Sequence, residues 1–112
     1  MDRDEIRPRF GRAVNMSADD IETWLETPES RRVGQRKGDS ESIGQASGRQ
    51  IVRILRTPEP RLTDADWAHM RKVAGFVARH RAQEPENIAT SRWRYALMNW
   101  GFDPLKDGEA GQ

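Results

Sequence analysis

Apolar residues recur at every third or fourth position along most of this chain, which is the period of a helix with one buried face. Three long stretches carry such a face: Ile43, Ser47, Ile51, Ile54 and Leu55; then Trp67, Met70, Val73, Ala74 and Val77; then Trp93, Ala96, Leu97 and Trp100. No segment alternates apolar and polar residues as a half-buried strand would. The pattern predicts an all-α fold with main helices over 43–56, over 63–83, and from 88–91 to 100.

Two shorter helices are predicted ahead of these from their start signals. Ser17 stands as an N-cap with Asp20 three residues later, which is a variant of the capping box. Thr27 and Pro28 form a second start, because threonine caps helices and proline is favoured at the first helical position. This second helix should end near Gly34. We therefore expect a small compact helical domain of three main helices plus one or two short N-terminal helices.

The length of 112 residues fits one domain, which we place at residues 10–106. Residues 1–9 mix acids, arginines and Pro8, and they predict a mobile N-terminal segment, followed by a short apolar turn at 10–14. Residues 35–42 are polar and predict a loop. Residues 107–112 predict a disordered tail.

Two glycines fall near the apolar face of the predicted helix over 43–56. They are Gly44 and Gly48. Glycine costs roughly 1 kcal/mol relative to alanine in a helix interior, so its presence needs a compensating reason. We predict that another backbone approaches the helix closely at this point.

The residues that catalysis or metal binding would need are absent or isolated. The chain has no Cys, which excludes disulfides, thiolate catalysis and Cys-based zinc sites. His69 and His80 are eleven residues apart on one predicted helix. That spacing corresponds to roughly 16 Å, too far to share a metal ion. No apolar run approaches the roughly 18 residues of a membrane span. We predict a cytoplasmic protein that is not an enzyme and has no cofactor, metal or membrane association.

The formal net charge is only +1, but residues 31–56 carry seven basic residues and two acids. Arginine suits bidentate contacts with phosphate. Two predicted helix faces concentrate basic side chains, with Arg49, Arg53 and Arg56 on one helix, and Arg71, Lys72 and Arg79 around Gly75 on the other. We predict that these six residues bind phosphates. The alternative is a solvated surface on which Gly75 admits another helix.

The last predicted helix aligns Arg92, Tyr95 and Asn99 at i, i+3 and i+7. Arginine and asparagine read guanine and adenine bidentately in the major groove, so these three residues predict contacts with bases or the groove. The alternative is structural: Asn99 forms hydrogen bonds near the helix end, and Tyr95 packs with its hydroxyl at the surface.

Four segments together resemble a known family of small bacterial proteins. They are VNMSADDIETWLET, VGQRKGDSESIGQASGRQIVRIL, DADWAHMRKVAGFVARHRAQ and SRWRYALMNWGFDPLK. The family is the domain of unknown function 3140, and the resemblance covers about residues 10–106. Its members are often labelled DNA-binding, so the resemblance implies DNA binding in a bacterial cell.

The sequence thus favours a DNA-binding or nucleoid-associated module, with duplex DNA as the expected partner. The alternative is a protein–protein interaction or homodimerisation module that uses the Trp-rich last helix and the glycine-bearing helices. The pI of about 8.2 argues against the first reading, because dedicated nucleic-acid-binding domains usually exceed a pI of about 9. The clustering of basic residues argues for it.

Overall fold

A computed structural model describes residues 2–33 and 41–106 of the chain. Its helices are α1 (Arg3–Ala13), α2 (Ala18–Leu25), α3 (Pro28–Arg32), α4 (Ile43–Arg56), α5 (Asp64–Arg81) and α6 (Arg92–Asn99), with a 3-10 turn at Glu59–Arg61. These described ranges contain no strand, so the all-α prediction is confirmed. The predicted short helices are α2 and α3, and the predicted main helices are α4, α5 and α6. The predicted tail at 107–112 and most of the predicted loop at 35–42 lie outside the described residues.

Each helix begins with a side chain that accepts a hydrogen bond from the backbone N–H three residues later. The capping residues are Asp2, Ser17, Thr27, Ser42, Thr63 and Ser91. At the start of α5 the capping is reciprocal, because the backbone N–H of Thr63 also donates to the Asp66 carboxylate at 2.9 Å. The caps satisfy backbone groups that the helix itself leaves unpaired. The start signals at Ser17, Thr27 and Thr63 are therefore confirmed.

Residues 3–9 belong to helix α1, so the prediction of a mobile segment over residues 1–9 is corrected. Ile6, Phe10 and Ala13 follow i, i+4, i+7 spacing and are buried. The helix packs along α5. Pro8 lies inside α1 and removes one helical hydrogen bond. This proline is the reason that the sequence predicted an irregular segment instead of a helix. The apolar contacts with α5 outweigh that loss.

Helices α1 and α5 run in the same direction. Arg3 pairs with Asp64 at 2.6 Å, which brings the starts of the two helices together. The guanidinium of Arg3 also lies 5.1 Å from the ring centroid of Trp67. Arg12 and Arg81, at the two C-terminal ends, line the same surface groove. The parallel arrangement places the acidic first turns at one end of the pair and the basic last turns at the other.

The buried face of α4 differs in part from the predicted one. Ile51 and Ile54 are buried as expected, together with Val52. Ile43 and Leu55 are 47% and 40% exposed, so their assignment to the buried face is wrong. Successive helical residues are rotated by about 100°, so Leu55 turns away from the core that Ile54 faces.

Helix α6 approaches α4 closely at Gly44 and Gly48, the two glycines of α4. A Cβ on Gly48 would lie 2.7 Å from the carbonyl oxygen of Asn99, and a Cβ on Gly44 would lie 3.1 Å from its side-chain nitrogen. A Cβ on Gly48 would also lie 2.9 Å from a methyl group of Leu25. Real Cβ atoms do not tolerate contacts as short as those at Gly48. The predicted close backbone approach is therefore confirmed.

The packing of α1 generates a stability prediction. Replacing Phe10 with Ala should lower the free energy of unfolding by about 3–5 kcal/mol, because a buried phenyl ring is lost and a cavity remains. Urea unfolding followed by tryptophan fluorescence measures this change. Gly11→Ala is the control, since nothing lies within 4 Å of the Cβ it would add. A loss below about 1 kcal/mol for Phe10→Ala would mean that α1 is not packed on α5.

Candidate nucleic-acid interface

An open groove of about 650 Å³ runs between α1 and the middle and C-terminal half of α5. Its apolar lining includes the small residues Ala13, Ala74, Gly75 and Ala78. Its basic residues are Arg9, Arg12, Arg71, Lys72, Arg79 and Arg81. No carboxylate is among the described residues that line it. We call this surface the basic groove.

The two helices contribute to the basic groove for different reasons. On α5, Arg71, Lys72 and Arg79 share the sector around Gly75 that the sequence predicts. On α1, Arg9 and Arg12 each precede a buried residue, which places them beside the face that packs on α5. This contribution was missed because residues 1–9 were not assigned to a helix. The spacing of Ile6, Phe10 and Ala13 was the signal that could have found it.

Five of the groove cations form no ion pair within the described residues. Across residues 2–33 and 41–106, none of Arg9, Arg12, Arg71, Lys72 and Arg79 forms an ion pair with a carboxylate. Arg81 lies at the end of the groove, with its guanidinium 4.6 Å from the ring centroid of Phe102. The positive charges of Arg9, Arg12, Arg71, Lys72 and Arg79 are therefore available to an anionic ligand in a way that paired arginines are not.

The stripe on α4 is compensated by the chain's own carboxylates. Its pairs are Arg49 with Glu41, Arg53 with Asp66, and Arg56 with both Asp19 and Glu22. Hydrogen bonding to Glu41 raises the pKa of Arg49, and hydrogen bonding to Glu22 and Asp19 raises the pKa of Arg56. None of the three arginines lines the basic groove. A phosphate at this stripe would have to compete with a carboxylate for each guanidinium.

Asn99 cannot contact a base, so the role predicted for it is wrong. Its exposed fraction is 0%. Its side-chain oxygen accepts hydrogen bonds from the indole N–H of Trp24 at 2.7 Å and the hydroxyl of Ser30 at 2.5 Å. Its side-chain nitrogen donates to the backbone carbonyl of Ser30 at 3.2 Å. The structural alternative for Asn99, hydrogen bonding near the helix end, is the correct one.

The other two members of the predicted base-contacting set do not join it at one surface. Arg92 is exposed, and Tyr95 is half-buried with its ring centroid 5.4 Å from that of Trp24. Neither lines the basic groove. The three residues do share one side of α6, but α2 and α3 pack against this helix and cover Asn99. The spacing of residues along one helix does not show which of them other helices will bury.

Gln45 extends the buried hydrogen-bond network around Asn99. Its side-chain nitrogen donates to the backbone carbonyl of Leu25 at 3.1 Å and to the hydroxyl of Ser30 at 3.4 Å. Four helices therefore meet through polar groups in the interior. Sequence reasoning missed this network, although Ser30, Gln45 and Ser47 on buried positions were a possible signal.

The two histidines pack against aromatic rings. His69 shares a hydrogen bond of 2.9 Å with the Ser47 hydroxyl and stacks on Trp100, whereas His80 stacks on Phe76 at a centroid distance of 5.0 Å. Burial lowers the pKa of both histidines, and the charge of Lys72 lowers the pKa of His69 further. In the part of the chain that the structure describes, no three His, Asp or Glu side chains form a group that could hold a metal ion. Over the same residues, no helix has the length and apolar character needed to cross a membrane.

Fold and groove together define a small all-helical domain with one basic surface depression. The family described as "Protein of unknown function (DUF3140)" matches residues 9–98, and the chain belongs to this family. No curated protein and no solved structure matches the chain. Because the family description names no activity, the groove has to carry the argument about function.

The Asn99 network generates a second stability prediction. Asn99→Ala should lower the free energy of unfolding by about 1–3 kcal/mol, because it leaves the buried hydroxyl and carbonyl of Ser30 without this partner. Arg92→Ala, on the same side of α6, should change it by less than about 0.5 kcal/mol. Urea unfolding of both variants measures the difference. Equal effects would contradict the buried role of Asn99.

The lowered pKa values of His69 and His80 predict a pH dependence of stability. In the unfolded chain both titrate near 6.5, but the folded protein resists their protonation. Below that pH the unfolded state binds more protons, so the free energy of unfolding should fall on acidification from about pH 7 to pH 5.5. The His69→Gln, His80→Gln double variant should show a flatter profile in urea unfolding. A wild-type stability that rises on acidification would contradict this assignment.

Proposed function

We propose that this protein is a DNA-binding module that holds the sugar–phosphate backbone of a duplex in the basic groove. The observation that carries the proposal is the gathering of six basic side chains along one surface depression, with no carboxylate among the described residues that line it. Guanidinium groups bind phosphate oxygens bidentately and strongly. The module acts by binding alone, without catalysis, in the cytoplasm of a bacterium.

The low net charge of the chain is compatible with this proposal. The whole chain carries a formal charge of +1, and the six groove residues carry +6, so the remaining residues carry −5. Positive charge is therefore dense at the groove, where six basic side chains line one surface. The field of such a cluster steers and orients a polyanion even when the pI of the chain is moderate.

The chemistry of the groove favours the backbone of a duplex over the bases of a single strand. Proteins that bind single strands combine a basic groove with aromatic side chains on which bases stack. None of the described residues that line the basic groove is aromatic, and the rings of Trp67 and Trp100 are buried in the core. Contacts to phosphates alone carry no sequence information, so binding should be independent of sequence. This behaviour suits a nucleoid-associated protein.

The alternative function, protein interaction or homodimerisation, has little support from the surface. Ile43 and Leu55 are the large hydrophobic residues exposed within the described ranges. The apolar stripe of α6 packs inwards, since Leu97 and Trp100 are buried and Trp93 packs against the core. An acidic protein segment could still compete for the basic groove, and the experiment below separates that case.

The proposal predicts a strong salt dependence of binding to duplex DNA. A plot of log affinity against log salt should have a slope of about −4 to −5, corresponding to four to six phosphate contacts. The triple variant Arg71→Ala, Lys72→Ala, Arg79→Ala should make the slope shallower by about 2–3 and weaken binding to all sequences alike. Fluorescence anisotropy with two duplexes of unrelated sequence measures both effects.

A charge-matched variant controls for non-specific attraction. Arg32→Ala, Arg61→Ala, Arg92→Ala removes the same three positive charges from positions that do not line the groove. It should retain nearly all of the affinity and slope. An equal loss in this variant would remove the groove as the site. The absence of wild-type binding at low salt would end the DNA proposal, and tighter binding to polyglutamate than to duplex DNA would favour an acidic protein partner.

A further inference from the structure

Gly75 lies inside α5, the longest helix, with no conformational reason to be glycine. Glycine is the least favourable residue for a helix interior after proline. Among the glycines of the described residues, only Gly101 has a positive φ, at 87°, so Gly75 adopts a backbone that alanine would accept. The reason for a glycine at this position has to lie in what surrounds it.

No neighbouring helix packs closely on Gly75, unlike Gly44 and Gly48. The three nearest atoms to a Cβ at this position all belong to the guanidinium of Arg79: Nη1 at 3.0 Å, Cζ at 3.8 Å and Nη2 at 4.0 Å. The alternative in which Gly75 admits another helix is therefore wrong. The space left by the missing side chain holds the guanidinium of the residue one turn later.

The position of Arg79 follows from ordinary helical geometry. Long side chains on a helix lean back towards its N-terminus and lie over the residue about one turn earlier. At Gly75 the helix surface is bare, so the guanidinium of Arg79 settles onto the helix inside the basic groove, which both residues line. An alanine at position 75 would place a methyl group 3.0 Å from Nη1, so the guanidinium would have to move outwards by a few tenths of an ångström.

We propose that Gly75 is a positioning residue, which keeps the guanidinium of Arg79 down in the basic groove, where it meets a phosphate of the duplex. This inference rests on the proposed function and deepens it, because it assigns one phosphate contact to the guanidinium of Arg79 as held by Gly75. The guanidinium is the group that binds, and Gly75 acts only through it. A helix-stabilising change at position 75 therefore weakens the ligand contact.

The test is Gly75→Ala, measured by anisotropy with duplex DNA and by urea unfolding. The affinity should fall about three- to tenfold, and the salt slope should become shallower by about 0.9, the value of one phosphate contact. The urea midpoint should rise, because alanine favours the helix over glycine. Loss of folded protein cannot explain an affinity that falls while stability increases.

Gly11→Ala is the matched control. Gly11 lies in helix α1, does not line the groove, and has nothing within 4 Å of the Cβ position. Its urea midpoint should not fall, and its affinity for DNA should match that of the wild type. A loss of affinity in Gly11→Ala comparable to that in Gly75→Ala would overturn the proposal.

The same substitution made in the Arg79→Ala variant tests whether Gly75 acts through Arg79. In Arg79→Ala, adding Gly75→Ala should cause no further loss of affinity, because the group that Gly75 positions is gone. A loss that persists there would mean that Gly75 acts without Arg79, which overturns the inference. Wild-type affinity in Gly75→Ala alone would also overturn it, while leaving DNA binding intact. If the wild type does not bind DNA, the proposed function fails and this inference fails with it.

Discussion

The side chain of Asn99 carries a donor and an acceptor into a part of the core that is closed to water. A buried amide without partners costs about 1–3 kcal/mol per group, so the surrounding helices have to supply them. Trp24 and Ser30 do so from α2 and α3. Helix α6 can bring the amide there only because Gly48 lets its backbone approach α4. The positions of four helices thus depend on how one polar side chain is satisfied.

The pairing of α1 with α5 explains why the basic groove forms where it does. Acids favour the first turn of a helix and cations the last, because of the exposed N–H and C=O groups at the two ends. When two helices are parallel, their acidic first turns lie together at one end and their basic last turns lie together at the other. Arg3 and Asp64 meet at the acidic end, whereas Arg9, Arg12 and the late cations of α5 meet further along. On α4, by contrast, Arg53 and Arg56 face Asp66 and Asp19 in the acidic first turns of α5 and α2, and their charges are compensated.

Local signals predicted the elements of the fold better than their tertiary partners. The helix starts and the close approach at Gly48 could be predicted from the sequence, because capping and the unfavourable helix propensity of glycine are local effects. Helix α1 could not be predicted in the same way, because Pro8 lowers the helix propensity of this segment. The packing of Phe10 in the core compensates for that loss only in the folded protein. Half of the groove was predicted, as the sector of α5 around Gly75. For Asn99 the sequence allowed both a base contact and a structural role, and it could not decide between them because burial depends on helices distant in sequence.

The basic groove also places a cost on the free protein. Arg9, Arg12, Arg71, Lys72 and Arg79 have no carboxylate beside them among the described groove residues, so they repel one another along the seam where α1 meets α5. The same seam contains Ile6 and Phe10, whose burial holds the helices together, and ends in the ion pair of Arg3 with Asp64. Attraction and repulsion thus arise from one parallel arrangement of two helices. Under the proposed function, a polyanion in the groove would relieve this repulsion without disturbing the apolar contacts, so one arrangement of two helices would both raise the electrostatic energy of the free protein and favour a bound phosphate backbone.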